Sequence, residues 1–235
     1  FHTFALGSTS TGGTTAKTPG NETTAPTAGG DETEVKLPGT VDAVCYAGGG
    51  KYLLLRLPKT RQVAVYDFAA GKVAKYIPLT EEGALIAGGL NKFYTIAPTA
   101  NVIQRWDLKT FEKEATLKNP TPVTPRKVLM GHATDGPLFM SGTLAAGGAR
   151  NGGWGFLDPK TMRKVDISPA GNARVDLGGF GDYPPQVRCS ADGRVFAWWT
   201  PGLSPSGLNS MVVNRGTAKA YNEHTSVGPI LPGPN

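Results

Sequence analysis

Few residues in this 235-residue chain stand at spacings from which chemistry follows. Gly48-Gly49-Gly50-Lys51 has the composition of a phosphate-binding loop. That motif needs an earlier Gly where Cys45 stands, a Ser or Thr where Tyr52 stands, and a helix after it, so the stretch reads as a turn between strands. His2, His132 and His224 have no ligand spacing among them, and neither a metal nor a cofactor is expected. No Gly-x-Ser-x-Gly elbow occurs, and the acidic residues lie mostly in turns, so no catalytic triad or carboxylate pair can be assembled. Two cysteines, Cys45 and Cys189, are too few for a disulfide framework. They fall in equivalent strands of different repeats and are expected to be buried free thiols rather than a disulfide or ligand pair.

Composition sets the frame for these residues. A hydrophobic content of 39% supports a globular core, and 32 Gly with 19 Pro mark frequent turns, which suits many short strands. The apolar runs, such as Tyr52 to Leu55, are too short to cross a bilayer. Net charge is +6, but residues 1–37 hold two basic and four acidic side chains, leaving +8 on the remainder. Its Lys and Arg are scattered rather than gathered with aromatics on one element, so nucleic acid is not an expected partner. Residues 1–37 are Thr, Gly, Ala and Pro with almost nothing large and apolar after Leu6, and a disordered tether is expected. A membrane would be reached only through an anchor upstream of it. Cell-envelope and cytoplasmic placements both stay open.

What must position any site is a repeat. Arg61 to Leu79, RQVAVYDFAAGKVAKYIPL, reads as strand, tight turn, strand, and NVIQRWDLKTFEKEATL follows the same plan. An offset of 40 places Ala47-Gly48-Gly49 on Ala87-Gly88-Gly89, Pro58 on Pro98, and Tyr66-Asp67 on Trp106-Asp107. Each unit reads as four strands, in the first at Ala43 to Ala47 (a), Tyr52 to Leu57 (b), Gln62 to Tyr66 (c) and Val73 to Leu79 (d). Strands b and c are apolar on both faces and must be covered on both. The third unit is expected to have a at Lys127 to Met130, b at Leu138 to Ser141, c at Gly155 to Leu157, and d at Arg163 to Ile167, with Asp158 closing c. The fourth has b at Val195 to Trp199, c at Met211 to Val213, and Asn214 in the Asp position. Val227 to Leu231 reads as strand a of a fifth.

A period of 40 to 50 residues with four strands per unit is the mark of a β-propeller. The expected fold is all-β: blades at about 41–80, 81–120, 125–168 and 185–224, a fifth beginning at 226, and an incomplete ring over 38–235. The repeat resembles those of WD40 and YVTN-like propellers, in the aromatic-Asp that closes strand c and the D-x-x-x-G-K turn at Asp67 to Lys72. Gly131-His132 departs from the WD40 pattern by falling between strands a and b. The turn is also similar to the repeats of quinone-dependent dehydrogenase propellers, but Tyr76 stands near their Trp and the second unit lacks the Gly. In outline the chain looks like large bacterial proteins with WD40-like propellers, some joined to membrane-anchored kinases. That resemblance implies a non-catalytic interaction or scaffold module for a protein or peptide partner, tethered to a membrane anchor or another domain such as a kinase. The alternative is a propeller enzyme with a central-channel site, dehydrogenase-like or hydrolytic.

Insertions in repeat proteins tend to collect on the binding face. The b-to-c loops are short in the first two units and longer by about five residues in the last two. They are expected to carry Arg150, Asn151 and Trp154 in one unit and Pro201 to Leu208 in the next, with Lys59 and Arg61 on the same face. The same lengthening also fits plain tolerance of exposed loops. The Asp after strand c is expected to accept turn N–H groups while its aromatic neighbour packs between sheets.

Overall fold

The computed structural model describes residues 34–144, 152–169, 185–202, 204–214, 216–223 and 228–233. Most of the expected tether, 1–37, lies outside these residues, and 34–37 hold no regular element.

Four sheets form, all dominated by antiparallel neighbours in chain order. The first blade contains β1 (Ala43–Ala47), β2 (Tyr52–Leu57), β3 (Gln62–Asp67) and β4 (Lys72–Pro78). The second contains β5 (Leu85–Gly88), β6 (Lys92–Ala97), β7 (Val102–Asp107) and β8 (Lys113–Lys118). In the third are β9 (Val123–Leu129), β10 (Leu138–Leu144), β11 (Gly152–Asp158) and β12 (Arg163–Val165). After β13 (Ser168–Pro169) come β14 (Gln186–Cys189), β15 (Val195–Trp199), β16 (Leu208–Asn214) and β17 (Thr217–Glu223) of the fourth.

Consecutive buried positions, such as Phe93, Tyr94, Thr95 and Ile96 on β6, require cover on both faces of a sheet. Neighbouring blades supply it through three apolar clusters. The first joins Leu54, Val63, Val65 and Ile77 to Ile86, Phe93 and Trp106. The second joins Tyr94, Ile96 and Ile103 to Leu138, Met140 and Leu157. The third joins Phe139 and Phe156 to Phe196, Trp198 and Met211. The inner strands follow one another, β1 against β5, β5 against β9 and β9 against β14. Among the described residues no comparable contact joins β14 back to β1.

Glycine is what lets the inner edges approach. A Cβ on Gly88 would lie 2.2 Å from the Tyr46 carbonyl oxygen, and one on Gly131 would lie 2.3 Å from the Gly193 nitrogen. The a-to-b loops then bond from blade to blade. Gly48 N–H donates to Gly89 O at 2.8 Å, Gly49 N–H to His132 O at 2.9 Å, Leu90 N–H to Thr134 O at 2.8 Å, and Ala133 N–H to Ala191 O at 2.9 Å.

The structure differs from the sequence reading in several places: β10 runs on to Leu144, β12 stops at Val165, and β16 starts at Leu208 rather than Met211. Strand β9 begins at Val123 rather than Lys127, through Pro125. It is an edge strand, where a missing N–H is tolerated, and its extension is accommodated by a register shift at Ser141/Gly142. Strand β11 begins at Gly152, so Trp154 pairs with Ser141 inside the sheet instead of standing in a loop. Leu144 fills the space beside Gly153 that a side chain would need. The fourth sheet has a fifth strand, β13, parallel to β17, a two-residue pairing with no sequence signal of its own. Residues 228–233 form no strand, and Val227 lies outside the described residues. Pro229 and Pro232 cannot donate to a ladder, so the stretch expected to open a fifth blade stays irregular here.

Candidate functional site

The repeated carboxylates sit at the c-to-d turns. Asp67 Oδ1 accepts from Ala69 N–H at 2.9 Å and Ala70 N–H at 3.1 Å. Asp107 Oδ1 accepts from Lys109 N–H at 2.7 Å and Thr110 N–H at 2.8 Å. Asp158 accepts from Lys160 N–H at 2.9 Å and the Thr161 hydroxyl at 2.8 Å. Four residues after each Asp the backbone is left-handed, at Gly71 (φ 61°), Phe111 (φ 59°) and Met162 (φ 57°). The missing glycine of the second unit therefore leaves the turn type unchanged. At Asn214 the exposed turn is closed from the other side, by the Thr217 hydroxyl donating to the Asn214 carbonyl at 2.8 Å. Trp106 is buried, stacked on Phe93 at 5.9 Å, and donates its indole N–H to Thr95 Oγ1 at 3.1 Å. Tyr66, its counterpart on β3, contacts Phe68 edge-on.

The b-to-c end holds two of the expected partner-binding residues. Lys59 Nζ meets Glu82 at 2.8 Å, but both side chains are largely in solvent, where such a pair contributes little. Arg61 takes the left-handed position of its turn (φ 51°), as Asn101 does in the next blade (φ 54°), and each carbonyl accepts from the chain after strand d. Arg150 and Asn151 lie outside the described residues. Trp154 is half-buried and packs against the third apolar cluster, with Phe156 edge-on at 5.8 Å. The structure thus brings Lys59 and Arg61 together and places Trp154 in the wall between blades.

Cys45 and Cys189 are free and half-buried on inner strands, and burial pushes both thiols up to about 12. At Cys45 burial outweighs the Gly88 backbone and Lys127, which act the other way, and at Cys189 Asp192 adds to it, so both stay thiols at neutral pH. His132 lies among the a-to-b loops beside Tyr46, its Nδ1 buried without a partner and its basicity lowered by burial.

The opposite end, where the a-to-b loops and c-to-d turns emerge, contains a crevice of about 360 Å³ between the second and third blades. Its walls come from β6, β7, β8 and the two turns of the third blade. Lys92 Nζ bridges Asp107 at 2.6 Å and Glu114, and Glu114 also accepts from Arg105 Nε at 2.9 Å. Burial works against the charge on Lys92, but its two carboxylates outweigh it and hold the ammonium above its usual range. In turn Lys92, with the Thr110 amide, lowers Asp107 to about 2. Arg105 Nη1 reaches the carbonyls of Pro159 at 2.8 Å and Lys160 at 3.1 Å, clamping the third blade's turn onto the second blade. Asn91 donates twice to Asp135, at 3.1 and 2.8 Å. Tyr94 lies at the base, 1% exposed. Sequence reasoning passed over these residues. One signal was present: Arg105 stands where the first unit has Val65, a charge on a strand otherwise apolar on both faces.

No family model matches the chain, and no curated protein matches it. Solved structures do. A subunit in the structure of Kuenenia stuttgartiensis hydrazine synthase matches with TM-score 0.51 at 15% identity, over 77% of this chain and 48% of that one. The Cps50 (Swd1) β-propeller domain of Myceliophteria thermophila matches with TM-score 0.51 at 13% identity, over 84% and 59%. The complex of KlAtg21 with the AgAtg16 coiled coil matches with TM-score 0.51 at 11% identity, over 80% and 54%. The chain spans about half the length of these structures. At such identities the likeness shows the fold alone: this is a row of β-propeller blades.

Proposed function

We propose that the chain is a non-catalytic interaction or scaffold module, a segment of a larger propeller held by its Thr-rich stretch to a membrane anchor or another domain such as a kinase. One observation carries the reading. The outward face of the first blade bears the rows Val44-Leu55-Ala64-Tyr76 and Tyr46-Leu53-Tyr66. At the offset of 40, Val44 corresponds to Ala84, Tyr46 to Ile86, Leu53 to Phe93 and Tyr66 to Trp106. In the second blade those positions are buried under the first, at 1%, 7%, 0% and 6% exposure. In the first blade Val44 is 55% and Tyr46 50% exposed. Ala64 (0%) and Tyr66 (9%) in these rows are already covered, so among the described residues the face is bare at Val44, Tyr46 and Tyr76, and this exposed apolar stretch is complementary to another propeller blade. Lys59, Arg61, Arg150 and Asn151 remain the proposed contacts for a protein or peptide at the b-to-c end, with Trp154 packed behind them in the sheet.

Sedimentation of the chain tests this. The chain should associate with rising concentration, and Val44→Ser with Tyr46→Ser should abolish association while the chain stays folded, with a small stability loss from the Tyr46 contacts to Phe68 and His132. A monomer at every concentration, unchanged by the double substitution, would overturn the reading, as would turnover of quinone-linked alcohols or of esters.

A further inference from the structure

We infer that the inner surface of the row of blades, at Lys127 and Arg188 beside Arg56, is a binding site for a small dianion, a phosphate group or a dicarboxylate. The inference does not rest on the exposed stretch of the first blade.

The three cations come from three blades and stand at one level. Arg56 pairs with Ala43 of β1, Lys127 lies on β9 and Arg188 on β14, and the blades meet along β1, β5, β9 and β14. The a-to-b loops give the height, since Gly48 bonds to Gly89, Gly49 to His132 and Ala133 to Ala191. Counted back from those loops, Ala43, Ala84, Lys127 and Arg188 are each three to five residues away. Arg56 Nη1 donates to the Ala84 carbonyl at 2.7 Å, which carries its guanidinium across to the start of β5. Sheets that fan out from a central channel bring side chains of three blades together only at this inner edge.

The charges there do not balance. Arg56 is matched, because its Nε and Nη2 hold the two oxygens of Asp42, each at 2.7 Å. Arg188 lies 5.5 Å from the centre of the Trp199 ring and donates to the Val187 carbonyl at 3.2 Å, with no carboxylate partner among the described residues. Lys127 is half-buried, and among the described residues its ammonium forms neither an ion pair nor a hydrogen bond. Burial lowers its basicity most, and Arg188 and Arg56 lower it further. The Cys45 thiol acts the other way, but it stays protonated at neutral pH. A half-buried ammonium without a counterion, beside a second unmatched cation, is costly. A compact ligand with two negative charges supplies both missing counterions through charge-assisted hydrogen bonds. A monoanion leaves one cation unmatched. Neither side chain is sealed from solvent, and the Trp199 ring holds the Arg188 guanidinium in place before any ligand arrives, which reduces the ordering cost of binding.

Titration calorimetry on the full chain at mildly alkaline pH tests the site, with inorganic phosphate and succinate as dianions and chloride and acetate at matched ionic strength as controls. At least one dianion should bind saturably and about tenfold or more tightly than either control, one tenfold step being about 1.4 kcal/mol. Which of the two binds identifies the ligand group as a phosphate or a dicarboxylate. Lys127→Met should weaken binding about tenfold or more. Without ligand the same variant should melt no lower than the parent, because an apolar chain of similar length replaces an unmatched charge. Arg188→Gln, on a different blade, should weaken binding to a similar degree. Absence of saturable dianion binding at tens of millimolar would overturn the site, as would equal binding of the controls or unchanged affinity in both variants. A lower melting temperature in Lys127→Met with binding intact would assign that side chain to packing and overturn it as well.

Discussion

At the scale of single residues, the aspartates that end the c strands do two jobs with one side chain. One oxygen of Asp107 accepts turn amides, which fixes the reversal into β8, while the other anchors Lys92 at 2.6 Å. Both interactions need the ionised carboxyl, so its folded-state value falls from 3.8 to about 2. A depressed value contributes stability that is whole above about pH 4 and is lost as pH falls towards 2. Denaturant unfolding between these limits should show that loss. Asp107→Asn should flatten it while lowering stability at neutral pH, and an unchanged slope would mean that other carboxyls govern acid unfolding. The turn role of this residue type was legible in the sequence from its spacing. Its link to Lys92 and Glu114 was not, because the two strands that bring those side chains alongside are paired by register rather than by sequence distance.

At the scale of elements, each blade is a meander whose short turns dictate its order, and close approach between blades decides where glycine is obligatory. Gly88 sits on β5 where a methyl group would overlap the Tyr46 carbonyl of β1 at 2.2 Å. Gly88→Ala should therefore cost about 1–3 kcal/mol through displacement of the two inner strands. Gly83→Ala, where the added carbon meets open space, serves as the control and should be nearly neutral in the same urea titration. The repeated Gly-Gly pair announced a turn in the sequence, but the requirement at Gly88 comes from a strand in the neighbouring blade. The same limit applies to β9 and β11. Pro125 and Gly152-Gly153 look like breakers in isolation, yet an edge position and the Leu144 side chain make both acceptable inside strands.

At the scale of the whole molecule, blades are joined twice, by apolar faces and by the hydrogen bonds that run from one a-to-b loop to the next. Amides of Gly49, Leu90 and Ala133 bond to carbonyls of other blades, although none lies in a strand. Hydrogen exchange should find them protected to the level of strand amides, since they open only when blades separate. Exchange at the rate of ordinary surface turns would show that the apolar faces alone hold the row together. The sequence by itself determined the repeat, its period, the four strands of each unit and the Asp turns, because these follow from local alternation and turn chemistry. Only the tertiary structure decided what lies between units. The exposed stretch of the first blade at Val44 and Tyr46 is recognised by comparison with a buried copy of itself, and the crevice at Tyr94 is walled by groups from two blades whose charges meet only once the sheets are stacked.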